Sequence, residues 1–229
     1  MIIDREKVLF EEWKRKRNYQ YFITDGVFDE DEWNKQSIKI LFVLKEANWE
    51  NGNIDMCDYL LSEVSPTYWK TWNNIARWTK AIMEGGEYLR HVSRSDKTYW
   101  LRKVAFMNLK KVGGDAVAEN ETIYFFAEND RVYIKKQIEL YEPDIIICCG
   151  RGEGKNADIL HDVVLDKSEV SEWKEPVLQY NYFLASVNGK ENIPVVSFYH
   201  PQMRGNHELF EKRYEEMKYV AGKLKERYM

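Results

Sequence analysis

The sequence of 229 residues has few cysteines and histidines and no long apolar runs. Its three cysteines are Cys57, Cys148 and Cys149, and the last two are adjacent within an apolar segment. An odd number of cysteines without CxxC spacing forms neither a disulfide framework nor a recognised zinc or iron–sulfur motif. We therefore expect a reducing compartment, buried strand positions for Cys148 and Cys149, no metal site and no cofactor.

Membrane and secretion signals are also missing. The chain has no run of about 18 apolar residues, so the sequence predicts no membrane span and no membrane partner. The first segment, MIIDREKVLFEEWKRKR, is charged throughout and lacks the apolar centre of a signal peptide. We expect a cytoplasmic protein and favour a monomer.

A large positive net charge is absent as well, because the formal net charge is -4. This balance argues against a protein that coats nucleic acid, but it is compatible with a local basic site. Hydrophobic residues make up 44% of the chain and aromatic residues 14%, which is enough for a substantial core.

Four short apolar segments, rich in β-branched residues and separated by helical patterns, predict the architecture: 38–44, 104–109, 144–149 and 194–199. Strands that alternate with helices indicate a parallel sheet covered on both faces. We therefore predict a three-layer α/β fold, with a central four-stranded, mainly parallel sheet. The chain is interpreted as one domain, 1–229, with an N-terminal helical extension over about 1–36.

Further elements follow from periodicity and capping signals. A helix is predicted over 128–143, ending near Pro143, and the C-terminal helix is predicted to begin after an Asn206 N-cap. The segment 151–192 can hold a short hairpin before the last strand. Three tryptophans in helical patterns are predicted to pack in the core and not to stack on a base: Trp69, Trp72 and Trp78.

Ligands of open α/β sheets bind beyond the carboxyl ends of the strands, so the residues that follow each predicted strand are informative. The cations at these positions are Lys45, Lys110, Lys111, Arg151, Lys155 and Arg204. They occur with an acid, amides and a histidine, namely Glu46, Asn48, Asn108 and His200. Glycines follow the same strands and would let backbone N–H groups approach an anion: Gly113, Gly114, Gly150, Gly152 and Gly205. The pattern predicts a phosphate-binding rim.

Four segments, in order, resemble motifs of the uracil-DNA glycosylase superfamily. ILFVLKEANW resembles the first motif, in which a strand runs into a turn such as GEAPG, and VAFMNLKKV resembles the strand that ends in a base-contacting Asn. PDIIICCG resembles the third strand, and VVSFYHPQMRG resembles the late motif that contains His-Pro.

The resemblance implies a glycosylase fold and a DNA repair enzyme that hydrolyses the N-glycosidic bond of a flipped uracil or other damaged base, in single- or double-stranded DNA. It implies catalytic roles for Glu46 and His200, with His200 at a base carbonyl oxygen. The base-binding residues that it implies are Asn108, Asn48, Trp49 and Phe106. The six cations of the rim would contact phosphates.

The first motif departs from the family pattern. Laid on GEAPG, Lys45 takes the place of the first Gly, Asn48 that of the Pro and Trp49 that of the last Gly. The Asp of one branch of the family falls on Ala47, so Glu46 is the carboxylate left in the motif. The iron–sulfur branch uses four cysteines, which this chain does not have.

Two other function classes stay open. One is a non-catalytic nucleic-acid or nucleotide-binding protein on the same fold, which the acidic net charge and the altered first motif favour. The other is a nucleotide hydrolase or transferase, which would need a carboxylate cluster for a metal at the strand ends, where Glu46 and Glu153 are the acids nearby.

Overall fold

The structure, a computed structural model, describes residues 1–50, 52–114 and 119–229. The strands are β1 (Ile23–Thr24), β2 (Gly26–Val27), β3 (Ile40–Leu44), β4 (Ile54–Asp55), β5 (Ala105–Asn108), β6 (Ile145–Cys149), β7 (Lys174–Val177), β8 (Tyr180–Val187) and β9 (Lys190–Phe198). The α-helices are α1 (Ile2–Arg17), α2 (Glu30–Lys35), α3 (Met56–Leu61), α4 (Lys70–Met83), α5 (Arg94–Leu101), α6 (Asn120–Tyr141), α7 (Asn156–Ile159) and α8 (His207–Tyr228).

The main sheet of the described residues has seven strands in the order β2-β5-β3-β6-β9-β8-β7. Its centre, β5-β3-β6-β9, is parallel. At the edges, β2, β8 and β7 each pair antiparallel with a neighbour. All four segments predicted as strands lie in this sheet, which confirms the α/β class. The prediction of a four-stranded sheet is wrong, because the sheet is larger and mixed.

The additional strands on one side come from the 151–192 segment. β8 and β9 are joined through Asn188 and Gly189, whose φ angles of 52° and 80° are typical of a two-residue hairpin turn. β9 therefore begins earlier than predicted, and β8 covers an edge that would otherwise be open.

Helices cover both faces of the sheet. Side chains alternate along β3, so Leu41 and Val43 pack with α1 and α6 on one face. Phe42 and Leu44 pack with α4 and α8 on the other face. Because β3 is buried on both faces, its sequence is an uninterrupted apolar run, and this run predicts the strand from the sequence alone.

The N-terminal segment is more than a helical extension. α1 is followed by β2, which pairs with β5 and so extends the main sheet. β1 pairs with β4 in a separate two-stranded sheet. The start of α1 is held by Glu30, whose Oε1 accepts the backbone N–H of Ile2 at 2.7 Å.

The helix predicted over 128–143 is α6, which begins earlier and ends before Pro143 as predicted. Asn206 caps α8 as predicted, since its Oδ1 accepts the backbone N–H of Leu209 at 3.1 Å. Among the described residues, no helix combines the length and apolarity that a membrane crossing requires.

Candidate functional site

The predicted site residues follow the carboxyl ends of β5, β3, β6 and β9, which lie at one edge of the sheet because these strands are parallel. Neighbouring strands are about 4.8 Å apart, so side chains that follow adjacent strands can meet. The structure brings some of the predicted residues together here and assigns others to the core.

Two lysines meet at one neutral oxygen. Lys45, after β3, and Lys155, before α7, donate from Nζ to Oδ1 of Asn120, at 2.6 and 2.8 Å. Burial lowers the pKa of Lys45, and the neighbouring Lys155 ammonium lowers it further. No carboxylate among the described residues lies within 4 Å of either ammonium group. This lysine pair therefore concentrates positive charge where an anion could bind.

His200 lies close enough to Lys45 to interact with its charge. Its Nδ1 accepts the backbone N–H of Gln202 at 3.2 Å, so the proton of the neutral imidazole is on Nε2. Burial lowers the pKa of His200, and the charge of Lys45 lowers it further. The imidazole is therefore neutral at neutral pH, and its Nε2–H, which is not involved in the bond to Gln202, is a hydrogen-bond donor.

Asn156 positions the loop that carries Lys155. This fully buried side chain donates from Nδ2 to the carbonyl oxygens of Val43 and Cys149, at 3.1 and 2.8 Å. It therefore ties the ends of β3 and β6 to the start of α7. Sequence reasoning missed Asn156 and Asn120, because neither lies in a recognised motif.

Glu46 lies in a cavity of about 380 Å³ beside Trp49 and Lys110. Its Oε2 forms an ion pair with Nζ of Lys110 at 2.5 Å, and the Glu46 side chain is only 6% exposed. A Cβ at Gly114 would overlap the Glu46 carboxylate. This glycine therefore makes room for a carboxylate of the chain itself, and not for a bound anion as predicted.

Asn108 and Lys111 are part of a buried network around Asp25. The backbone N–H and Nδ2 of Asn108 donate to Oδ2 of Asp25, at 2.7 and 3.2 Å. Lys111 is 0% exposed, and its Nζ pairs with Oδ1 of Asp25 at 2.5 Å. The prediction that Lys111 contacts phosphates is therefore wrong, because its charge is internal and already neutralised.

Of the two aromatic residues predicted to stack on a base, one is buried in the core and one lines a cavity. Phe106 is completely buried, with ring centroids 5.1 Å from Phe28 and 4.7 Å from Trp72, so its prediction as a base-stacking residue is wrong. Trp49 is half-buried and lines the Glu46 cavity, with Tyr59 at 5.4 Å. Trp72, Trp78, Cys148 and Cys149 are core residues as predicted, and Trp69 is partly buried against the same core.

The remaining predicted residues lie at the surface. Asn48 and Arg204 are exposed, and Arg151 is exposed while donating to the Tyr199 hydroxyl at 3.1 Å. The Tyr199 ring also lies 3.8 Å from the guanidinium of Arg213, which sequence reasoning missed. Arg213 already forms an ion pair with Glu216 at 2.5 Å, so its charge is neutralised within the fold.

The three residues predicted to surround one base do not share the described cavity. Glu46 lines it, but Asn108 and His200 do not, and Asn108 is held by Asp25. Within the described residues no cluster of three or more His, Cys, Asp or Glu side chains is placed to hold a metal ion. The group with the clearest chemistry is thus His200 with the lysine pair.

No protein-family model matches the sequence, and no curated protein is significantly similar to it.

Proposed function

We propose that the protein is a glycosylase-like enzyme that hydrolyses the N-glycosidic bond of a uracil or other damaged base in DNA. The observation that carries this proposal is the fixed tautomer of His200 beside the lysine pair. It combines an N–H donor with two ammonium groups at one edge of the sheet, where the ammonium groups would bind a phosphate.

Cleavage of an N-glycosidic bond leaves negative charge on the base. Water adds its oxygen to the sugar carbon, and the base departs with the electron pair of the C–N bond and takes up a proton. A neutral histidine that donates from Nε2 to the base carbonyl stabilises this charge as it develops. The lowered pKa of His200 keeps the imidazole neutral, and Lys45 adds a favourable potential.

The lysine pair is suited to a phosphate flanking the flipped nucleotide. A phosphate oxygen is a stronger acceptor than the amide oxygen of Asn120, because the bond becomes charge-assisted on both sides. Phosphate contacts fix the register of a nucleic acid and carry no sequence information. In this proposal they hold the sugar while the base is out of the stack.

Glu46 would act at the sugar. Its ion pair with Lys110 fixes the carboxylate at the end of β3, where it can orient a water molecule or stabilise the oxocarbenium-like sugar. Of the two residues predicted to stack on the base, Trp49 lines this cavity, whereas Phe106 is completely buried.

A non-catalytic nucleic-acid or nucleotide-binding protein is the second candidate. Two observations favour it. Asn108 already donates a hydrogen bond to Asp25, and Glu46 already forms an ion pair with Lys110. In this case the lysine pair would bind the phosphate, and His200 would contact the base without cleavage.

One experiment separates the two candidates. Single- and double-stranded oligonucleotides that carry uracil, hypoxanthine or xanthine are incubated with the protein and then treated with alkali, while binding is followed by fluorescence anisotropy. Strand cleavage at a lesion supports the enzyme, and binding without cleavage supports the second candidate. Absence of both would contradict the proposal.

Matched variants connect the result to the site. Lys155→Ala should weaken binding, whereas Lys16→Ala, which removes an exposed lysine of α1, should not. Equal effects of the two substitutions would mean that binding follows general charge and not the lysine pair.

A further inference from the structure

A second cavity, of about 470 Å³, lies between α1, the β1–β4 sheet and α3. Apolar side chains form much of its wall, including Phe10, Phe22, Phe28 and Ile54. Its volume is in the range of small-molecule sites, which combine apolar walls with a few polar groups. Of the residues discussed for the carboxyl-edge site, Asp25 and Phe28 are the two that line it.

The polar group at the base of this cavity is the carboxyl of Glu6, a residue only 6% exposed. Val27 donates its backbone N–H to Oε1 at 3.0 Å. The Tyr141 hydroxyl, whose oxygen accepts from Gln137, is a second hydrogen-bond partner of the carboxyl and lies on the Gly26 side, near Oε1. A Cβ at position 26 would overlap Oε1, and Gly26 has a φ of 137°, so a glycine is needed for this close approach. The position of the carboxyl is therefore fixed.

The second oxygen of this carboxyl has no donor. None of the hydrogen bonds of the described residues reaches Oε2 of Glu6, and no described cation lies within 4 Å of the carboxyl. Asp25, on the same cavity wall, differs because Lys111 and Gln137 already donate to it, at 2.5 and 2.9 Å. Burial raises the pKa of Glu6 to about 7, because the hydrogen bonds from Val27 and Tyr141, which lower it, do not offset the loss of solvation.

The mouth of the cavity is mainly acidic. Glu11, Asp55 and Asp58 line it together with Lys7 and Lys14. The Lys14 ammonium donates to the side-chain oxygen of Asn53 at 2.8 Å, which holds it along the wall. A cationic ligand would thus be attracted to the entrance and meet an unpartnered carboxyl oxygen inside.

We propose that this cavity binds a small primary amine with an apolar body. The ammonium donates to Oε2 of Glu6, and the body packs against Phe10, Phe22 and Phe28. The ammonium group supplies the missing donor, and the aromatic walls exclude water from the pair, which strengthens a charge-assisted bond. This binding does not depend on the activity proposed for the other site.

Isothermal titration calorimetry at pH 7.5, above the pKa of about 7 of Glu6 in the folded protein, tests this inference with phenethylamine and its neutral analogue phenethyl alcohol. The amine should bind at least about 10-fold more tightly, a difference of about 1.4 kcal/mol, because its ammonium forms a charge-assisted hydrogen bond that the alcohol does not form. Equal affinities, or no binding of the amine at 10 mM, about the weakest measurable range, would overturn the inference.

Two variants locate the ammonium. Glu6→Gln keeps the shape of the side chain and should remove most of the amine preference, whereas Glu12→Gln, on the same helix but outside the cavity lining, should keep it. An unchanged amine preference in Glu6→Gln would contradict the assignment. The comparison of amine with alcohol on the unmodified protein remains decisive if Glu6→Gln does not fold.

Discussion

Lys110 and Lys111 are adjacent in the sequence, as Lys45 and Lys155 are adjacent in space, but the two pairs differ in what surrounds them. Lys110 and Lys111 each form an ion pair with a carboxylate, Glu46 and Asp25 respectively. Lys45 and Lys155 share one amide oxygen and have no carboxylate among the described residues. A cation whose partner is built into the fold supports the structure, while a cation without one can bind a ligand.

The largest predicted effect in this comparison is a loss of stability on substitution of Lys111. Lys111→Met should lower the free energy of unfolding by about 3–5 kcal/mol, because it leaves the Asp25 carboxylate buried without its cation. Urea denaturation measures the change. Lys45→Met, which removes a cation without a carboxylate, should change stability by no more than about 0.5 kcal/mol. Similar losses in both variants would show that the two lysines do not differ as proposed.

A second variant sharpens the same test. In the double variant Asp25→Asn with Lys111→Met, both charges are removed while an amide oxygen still accepts the backbone N–H of Asn108, so part of the lost stability should return. If the double variant is as unstable as Lys111→Met alone, packing and not charge explains the loss.

A buried acid without a cation gives the next largest effect. The pKa of Glu6 rises from its ordinary 4.5 to about 7, first because of burial and also because Asp25 and Asp55 face it. The folded state therefore holds a proton that the unfolded state has lost, and stability falls as pH rises between these two values. One pKa unit corresponds to about 1.4 kcal/mol, so the fall amounts to roughly 3 kcal/mol.

This point is tested by the denaturation midpoints of the unmodified protein and Glu6→Gln. They are measured from pH 4.5 to 7.5, which is about the range over which Glu6 titrates. The difference in stability between the two proteins should move in favour of Glu6→Gln as pH rises. Glu12→Gln should show no such trend. A constant difference between Glu6→Gln and the unmodified protein would mean that the Glu6 carboxyl titrates in its ordinary range.

The smallest effect concerns salt. Because Lys45 and Lys155 share one acceptor, they should neutralise a single phosphate between them. The magnitude of the slope of log affinity against log salt for an oligonucleotide should fall by about 0.7 to 0.9 when both lysines are replaced by alanine, and by no more than this in Lys45→Ala alone. A doubled change, measured by anisotropy at several salt concentrations, would indicate two separate phosphate contacts.

Sequence reasoning found what depends on local pattern. The four central strands are apolar runs buried on both faces, and Asn206 is a cap determined by the residues that follow it. It missed what depends on distant partners. Phe106 and Asn108 belong to one short strand at the predicted site, but Phe28 and Asp25, far away in the sequence, decide that both are buried.

The same limit applies to charge. Lys45, Lys110, Lys111 and Lys155 are alike in the sequence, because each follows a strand. Only the folded arrangement shows that Asp25 neutralises Lys111 and that Asn120, which is neutral, bridges Lys45 and Lys155. The sheet was larger than predicted for a related reason, since edge strands such as β2 are too short to produce a periodic signal.

The central claim is that a neutral His200 beside the lysine pair assists departure of a base. It is tested most directly by single-turnover excision from a uracil-containing oligonucleotide, measured against pH for the unmodified protein and His200→Ala. The rate should rise with pH and level off below the ordinary histidine pKa of about 6.5, since burial and Lys45 favour the neutral form. His200→Ala should be slower by on the order of 10²-fold and should lose this inflection, while melting at the same temperature. Equal rates for the two proteins would contradict the account.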